Sequence, residues 1–556
     1  MDKKTILALI IIGAVFLLWP VYMRKVVGVR SPSTPSPSDS LVQEQEWEAV
    51  ESVERPVQPQ TLADSQRSAQ RSESQSEVAR REYDIETNIV KLVTNLFEGR
   101  LSSLGGGTVV RWKLKQYLNQ EGEGVELIPD SAEGNLSILL GNRMDLGQMV
   151  FNTVLDSQWV ENGKHFQKVR FGLDLPGGGR IEKEFRVQDD SYAVDMEVRF
   201  SYLDRQDMGQ GYDVLWTSGL HPTERISDDM HYYQAYALQG GELLKTKDKS
   251  TGLREGSTQW VAVRTKYFLM ALIPREILGK AARLEGQKTK IPYRDEGLKD
   301  WRRFHVQLAM PSTGHMEETA KFALYIGPMD YPQLKGQGVQ LEKMMNFGWS
   351  FIRPFSIAFL YALQFLYGIV GNFGWAIVIF SILIKVVLYP LTRKSFQSMR
   401  KMQELQPKMS ALKEKYKKDS QKLNQETMKL YKQHGVNPMG GCLPMLLQMP
   451  VLFALFNLFR TTIMLRQASF LGGLIADLSA PDAMIGNINV LPILMGATMI
   501  IQQKLSTQNP QQKAMAYLMP IIFSFMFYRF SAGLNLYYLM FNLLTIAQEL
   551  IIRKHK

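Results

Sequence analysis

The sequence predicts a polytopic α-helical membrane protein, with six spans and a five-helix core, that carries a large exported all-β sandwich domain. Three observations predict it. Hydropathy comes in blocks: most of Ile6 to Tyr22 is apolar, Tyr83 to Lys335 is mixed and polar, and long apolar stretches dominate from Phe347 onward. The polar block alternates with a period of two, whereas the apolar blocks run long enough for membrane helices. Lys and Arg gather in alternate loops, as the positive-inside bias requires.

Residues 1–30 read as an uncleaved signal anchor and first span. MDKK precedes the apolar run Thr5 to Tyr22, and Pro20, Val21, Tyr22, Met23 and Arg24 offer no small-x-small cleavage pattern. Residues 31–82 open with SPSTPSPSDS and continue rich in Gln, Glu, Ser and Arg, so a disordered linker is expected. The single cysteine, Cys442, excludes an intrachain disulfide framework.

Residues 83–335 form the β-domain. Ile181, Lys183, Phe185 and Val187 alternate with Glu182, Glu184 and Arg186, and Tyr192, Val194, Met196, Val198 and Phe200 alternate with Ala193, Asp195, Glu197 and Arg199. Each run reads as a half-buried antiparallel strand, and Gly105-Gly106-Gly107, Pro176 to Gly179 and Gly240-Gly241 mark turns. His165, His221, His231, His305 and His315 show no metal-ligand spacing, so no metal and no cofactor is expected.

Residues 336–372 are a connector and an interfacial helix. The run from Phe355 to Gly371 is apolar enough to span, but a span there would put the basic loop after Leu391 outside. Charge parity therefore lays it on the outer membrane surface, with the β-domain outside and both termini cytoplasmic.

Residues 373–552 are the core, with spans at Phe373 to Leu391, Gly441 to Phe459, Ile488 to Gln503, Met515 to Phe530 and Gly533 to Ile552. Several are short for about 30 Å of hydrocarbon, which suggests a thinned bilayer. Residues 392–434 form a cytoplasmic helical hairpin, kinked near Pro407. Its cations include Arg400, Lys401, Lys408, Lys413, Lys415, Lys417 and Lys418, a surface suited to anionic lipid, ribosomal RNA or a partner protein. The loops of opposite parity are nearly neutral, Arg460 and Arg466 being balanced by Asp477 and Asp482. A short basic tail, residues 553–556, ends the chain.

Lys385 carries the functional reading. It lies inside the apolar run Trp375 to Leu391, where a cation costs about 2.5 to 3.5 kcal/mol on insertion scales. Leu391 is only about 9 Å further along a helix, so the stem has a route to the headgroups. Other residues favour an inward orientation. Ser381 shares its helix face, and Asn535, Tyr538, Asn542, Thr545 and Glu549 form one polar stripe along the last span. Gln448 and Asn457 add polar groups in the third span. A continuous stripe facing an intramembrane lysine points to a hydrated groove. The methionines of these spans suit packing against varied apolar segments.

These residues carry a resemblance. GWAIVIFSILIKVVLYPLT (Gly374 to Thr392), NPMGGCLPMLLQMPVLFALF (Asn437 to Phe456), LPILMGATM (Leu491 to Met499) and SAGLNLYYLMFNLLTIAQE (Ser531 to Glu549) are similar to the core of the YidC-type membrane protein insertases. WVAVRTKYFLMALIPRE (Trp260 to Glu276) and LYIGP (Leu324 to Pro328) match the β-domain of that family less tightly. The resemblance implies a bacterial inner-membrane insertase and chaperone that is not an enzyme. It also implies a groove open to cytosol and lipid, with Lys385 as its cation, Ser381 beside it and Tyr538 facing substrate. The other groove candidates are Asn535, Asn542, Gln448 and Thr545. Implied partners are nascent membrane proteins, the Sec translocon with its accessory subunits, a transiently bound ribosome and anionic lipids, but no DNA.

Two departures stand out. Lysine replaces the family's usual arginine, which keeps the charge but loses the planar fork, and the tail ends without a long basic extension. A solute or ion transporter would require repeated halves with paired broken helices, and an intramembrane protease would require paired Asp, Ser-His or H-E-x-x-H. The expected spans show no such repeat and carry no paired Asp, and the sequence has no H-E-x-x-H.

Overall fold

A computed structural model describes residues 87–554, apart from 120, 130–133, 142–143, 204–207, 210, 247–250, 294–296, 418, 437–442, 487 and 507–512. The expected anchor, the linker and Lys418 lie outside the described residues.

Two antiparallel sheets build the first half of the described chain. The smaller pairs Ile89–Val93, Phe97–Ser102, Thr108–Leu118 and Gly124–Ile128 in that order, and the larger has fourteen strands. Period-two alternation becomes two faces in Arg180–Gln188 and Ala193–Ser201, where every second residue is buried. The sheets share one core containing Trp112, Phe171, Phe185, Trp216 and Trp260. Polar links also join them. Gln167 Nε2 donates to the Lys91 carbonyl at 2.9 Å, and Asn135 Nδ2 donates to the Val109 carbonyl at 3.2 Å.

Lys183 follows the alternation inward despite its charge and is 0% exposed. Its Nζ donates to the carbonyls of Gly105 at 3.0 Å and Leu136 at 2.7 Å. Burial alone lowers its pKa to about 7. Among the described residues, α1 (Ile226–Tyr232) and a 3-10 turn at Leu146–Gln148 interrupt the strands, so the domain is β-rich rather than purely β.

The connector carries α2 (Tyr331–Gly336), then α3 (Arg353–Val370). Trp260 Nε1 donates to the Val339 carbonyl at 2.9 Å and Arg264 Nη1 to the Met344 carbonyl at 2.7 Å, which ties this stretch to the β-domain. Beyond it come α4 (Phe373–Glu404), α5 (Gln406–Lys415), α6 (Ser420–Gln433) and α7 (Leu443–Thr461). The chain then forms α8 (Val490–Ser506), α9 (Lys513–Phe527) and α10 (Ala532–Lys554).

Among the described residues, α3, α4 and α10 are long and apolar enough to cross a membrane, and α8 and α9 are shorter apolar helices. Helix α4 continues from its apolar half straight into the basic segment, and the break falls at Leu405, just ahead of Pro407 at the start of α5. Helix α4 packs against α3 and α10, and α8 against α9 and α10.

Candidate functional site: the α4–α10 seam

Helix α4 begins on a side-chain cap: Asn372 Oδ1 accepts from the amides of Gly374 at 2.9 Å and Trp375 at 3.2 Å. Pro390 lies inside the helix without ending it. Near it, Thr392 donates back to the Leu388 carbonyl at 2.9 Å. Val386 and Val387 point outward at 64% and 70% exposure, whereas Ser381, Lys385, Thr392 and Ser395 are buried on the opposite face. Lys385 therefore turns toward α10 rather than outward from the helix. Its Nζ donates to Thr545 Oγ1 at 2.7 Å and lies 4.7 Å from the centre of the Phe541 ring.

Thr545 donates its hydroxyl in turn to the Phe541 carbonyl at 2.7 Å. Two turns further along α4, Thr392 Oγ1 accepts from Gln548 Nε2 at 3.1 Å. One step beyond, Arg400 Nη1 donates to the Ile552 carbonyl at 3.3 Å. These contacts form a polar seam in which α4 and α10 run in the same direction.

The remaining candidates divide. Ser381 is 0% exposed and its hydroxyl donates to the Ile377 carbonyl at 2.7 Å, turned onto its own helix rather than toward Lys385. Asn542 Nδ2 donates to Thr498 Oγ1 at 3.5 Å, joining α10 to α8. Asn535 Nδ2 donates to the carbonyls of Phe527 and Phe530 at 3.3 and 3.4 Å. Gln448 donates to the hydroxyl of Tyr537 at 3.3 Å, so Tyr537 rather than Tyr538 meets α7. Tyr538 packs edge-on against Phe527.

Among the described residues, Gln448 Oε1, Asn535 Oδ1, Tyr538 Oη and Gln548 Oε1 are buried without a hydrogen-bond partner. Buried polar atoms of this kind are normally satisfied by protein or by ordered water. Four of them fall in the helical core.

On the hairpin, Lys401, Lys408, Lys415 and Lys417 are exposed and Lys413 is half-buried. Lys408 Nζ lies 3.1 Å from His434 Nε2, and Arg400 belongs to the seam rather than to a free basic surface. The residues missed in the sequence are Phe541, Thr392, Gln548 and Tyr537. Phe541 and Thr392 had a usable signal, lying one turn from Thr545 and two turns from Lys385 on the same faces.

Residues 365–556 match the family described as 60Kd inner membrane protein, and residues 89–356 match the YidC periplasmic domain family. The chain is 36% identical to the membrane protein insertase YidC of Pelodictyon phaeoclathratiforme, covering 100% of this chain and 95% of that relative. It is also 36% identical to the protein of the same name from Chlorobium limicola, covering 99% and 94% respectively. A solved structure described as an active YidC insertase with the first transmembrane domain resolved is 18% identical, with a TM-score of 0.36 over 83% of this chain and 91% of that one.

Proposed function

The chain belongs to the YidC family of membrane protein insertases, inner-membrane proteins with a periplasmic β-rich domain, and from that premise we propose how its helical core works. Its substrates are membrane proteins, and the work is transfer rather than bond chemistry.

Lys385 is the recruiting charge. An acidic residue in the hydrophilic flank of a nascent segment displaces Thr545 from the ammonium, which lowers the cost of bringing that flank partway across the bilayer. The buried unpartnered polar atoms of Gln448, Asn535, Tyr538 and Gln548 offer that flank further partners as the core opens, and the apolar part of the substrate then partitions into lipid. The observation that carries this reading is the setting of Lys385. Among the described residues the buried ammonium is held by one hydroxyl and one aromatic face, and a carboxylate is a stronger partner than either.

The accompanying topology has six spans, with α3 lying on the outer surface, both termini cytoplasmic and α5–α6 standing in the cytosol. The exposed lysines of that hairpin meet anionic headgroups and, transiently, the ribosome, and some substrates arrive with the Sec translocon.

The test is reconstitution of the full chain in liposomes with a small single-spanning substrate, scored by protease protection. Protection that depends on the flank's acidity and on Lys385 supports the proposal. Protection indifferent to both removes it.

A further inference from the structure

Residues 462–489, between α7 and α8, meet the ends of several core helices on the β-domain side. At the start of α4, Asn372 Nδ2 donates to the Ser469 carbonyl at 2.9 Å, and the Phe470 ring fills the space beside Gly374. At the start of α10, the amides of Ala532 and Gly533 donate to the carbonyls of Ala480 at 2.7 Å and Leu478 at 2.9 Å. At the start of α8, Asp482 accepts from the amides of Val490 at 2.5 Å and Leu491 at 3.1 Å. Asn489 closes the turn between α9 and α10 by donating to the Tyr528 carbonyl at 2.7 Å. The loop has its own apolar core, with Ile463, Leu465, Phe470, Ile475 and Leu478 all buried. Helix starts leave amides that need partners, and here one loop supplies them for two helices.

The same loop is gripped by the β-domain. Arg466 Nε meets Glu224 Oε1 at 2.6 Å, with side-chain exposures of 3% and 15%. Arg466 Nη1 donates to the Leu118 carbonyl at 2.8 Å, and Gln467 Nε2 donates to the carbonyls of Leu118 and Asn119 at 2.9 and 3.2 Å. At the end of α7, Arg460 donates to the Tyr232 hydroxyl and lies over its ring, with 5.1 Å from guanidinium to ring centre. A buried ion pair contributes little net stability but is costly to break one-sidedly, so it serves to fix one arrangement. Arg466 and Glu224 lie 242 positions apart in sequence, and the pair fixes the β-domain against the helical core.

We propose that residues 462–486 are a plug over the periplasmic end of the core and that the β-domain latches this plug through Arg466. Arg466 is a positioning residue: through the loop it holds the starts of α4, α8 and α10 in register. Opening the latch frees those ends for passage of a translocated segment. The inference rests on the insertase activity and is independent of the role proposed for Lys385.

The test uses the full chain in nanodiscs, with hydrogen exchange followed at the amides of Ala532 and Gly533. Arg466→Ala and Glu224→Gln are each expected to speed exchange there at least about tenfold, the factor for loss of about 1.4 kcal/mol from local opening. Arg466→Glu combined with Glu224→Arg is expected to restore protection, a rescue that a merely space-filling role would not give. Unchanged exchange in both single variants overturns the proposal, and so does failure of the double variant to restore it. Lys385→Gln, which leaves the plug intact, is expected to slow insertion without altering exchange at Ala532, so the two readings fail separately.

Discussion

Replacing Lys385 by Gln and by Glu grades the proposed attraction. A carboxylate that takes the place of Thr545 beside the ammonium sits about 4 Å from the charge. At an effective dielectric constant near 20 that is worth about 4 kcal/mol. The Thr545 bond given up, 2.7 Å long and made by a charged donor, is worth about 1.5 to 3 kcal/mol. Before the carboxylate's own desolvation is charged, the difference is at most about 1 to 2.5 kcal/mol, an upper bound of roughly a 5- to 60-fold preference for an acidic flank. Lys385→Gln removes that preference, and Lys385→Glu turns it into repulsion between like charges. Lys385→Arg keeps the charge and is expected to be near neutral. The assay is the initial rate of protease-protected product in liposomes containing the full chain, with paired substrates differing only in acidic or neutral flank residues. Acidic-flank rates should fall in the order Lys and Arg, then Gln, then Glu, while neutral-flank rates stay level. A Lys385→Glu protein that inserts acidic-flank substrates at the wild-type rate refutes the reasoning.

Two further predictions address the scaffold. A methyl group at Gly374 would stand 2.1 Å from Phe470 Cδ2, so Gly374→Ala must displace the ring. It should cost about 1 to 3 kcal/mol, read as a lower melting temperature of the detergent-solubilised chain. Lys183 supplies a pH signature. Its folded pKa of about 7 lies below the ordinary lysine value near 10.4, so between those values the unfolded chain binds the extra proton. Stability of the β-domain should rise with pH across that window by up to about 1.4 kcal/mol per unit, and Lys183→Met should remove this slope. Unfolding of the full chain, followed by fluorescence of the buried Trp112, Trp216 and Trp260, measures it. Parallel pH curves for the two proteins would count against the assignment.

Much of the β-domain was legible because a sheet's side-chain period is two. The alternation of Ile181, Lys183, Phe185 and Val187 put even a lysine on the inner face, and the structure buries it. The polar stripe of the last span was legible for the same kind of reason, since three- and four-residue steps share a helix face. Its branch at Thr545 was not: Glu549 and Gln548 both continue the stripe, and only packing shows that Gln548 reaches Thr392. Ser381 shares the buried face of Lys385, as the four-residue spacing implied, but the direction of its hydroxyl was not legible. A serine inside a helix can donate to the carbonyl four residues back, and here it does.

The loop between α7 and α8 was the least legible part. By charge balance Arg466 is offset by loop carboxylates. In the structure it pairs with Glu224 of the β-domain, while Asp482 caps α8 and Asp477 accepts from the Ser479 amide at 2.7 Å. Contacts separated by hundreds of residues leave no local periodicity to read.

The most direct test of the central claim exchanges charges between groove and substrate. Lys385→Glu is paired with a substrate whose acidic flank residues are replaced by lysines, in liposomes held at zero membrane potential. Recovery of insertion to within a few-fold of the wild-type pairing, with both mismatched pairings slow, is the predicted result. Equal rates for all four pairings would contradict attraction between Lys385 and the translocated flank.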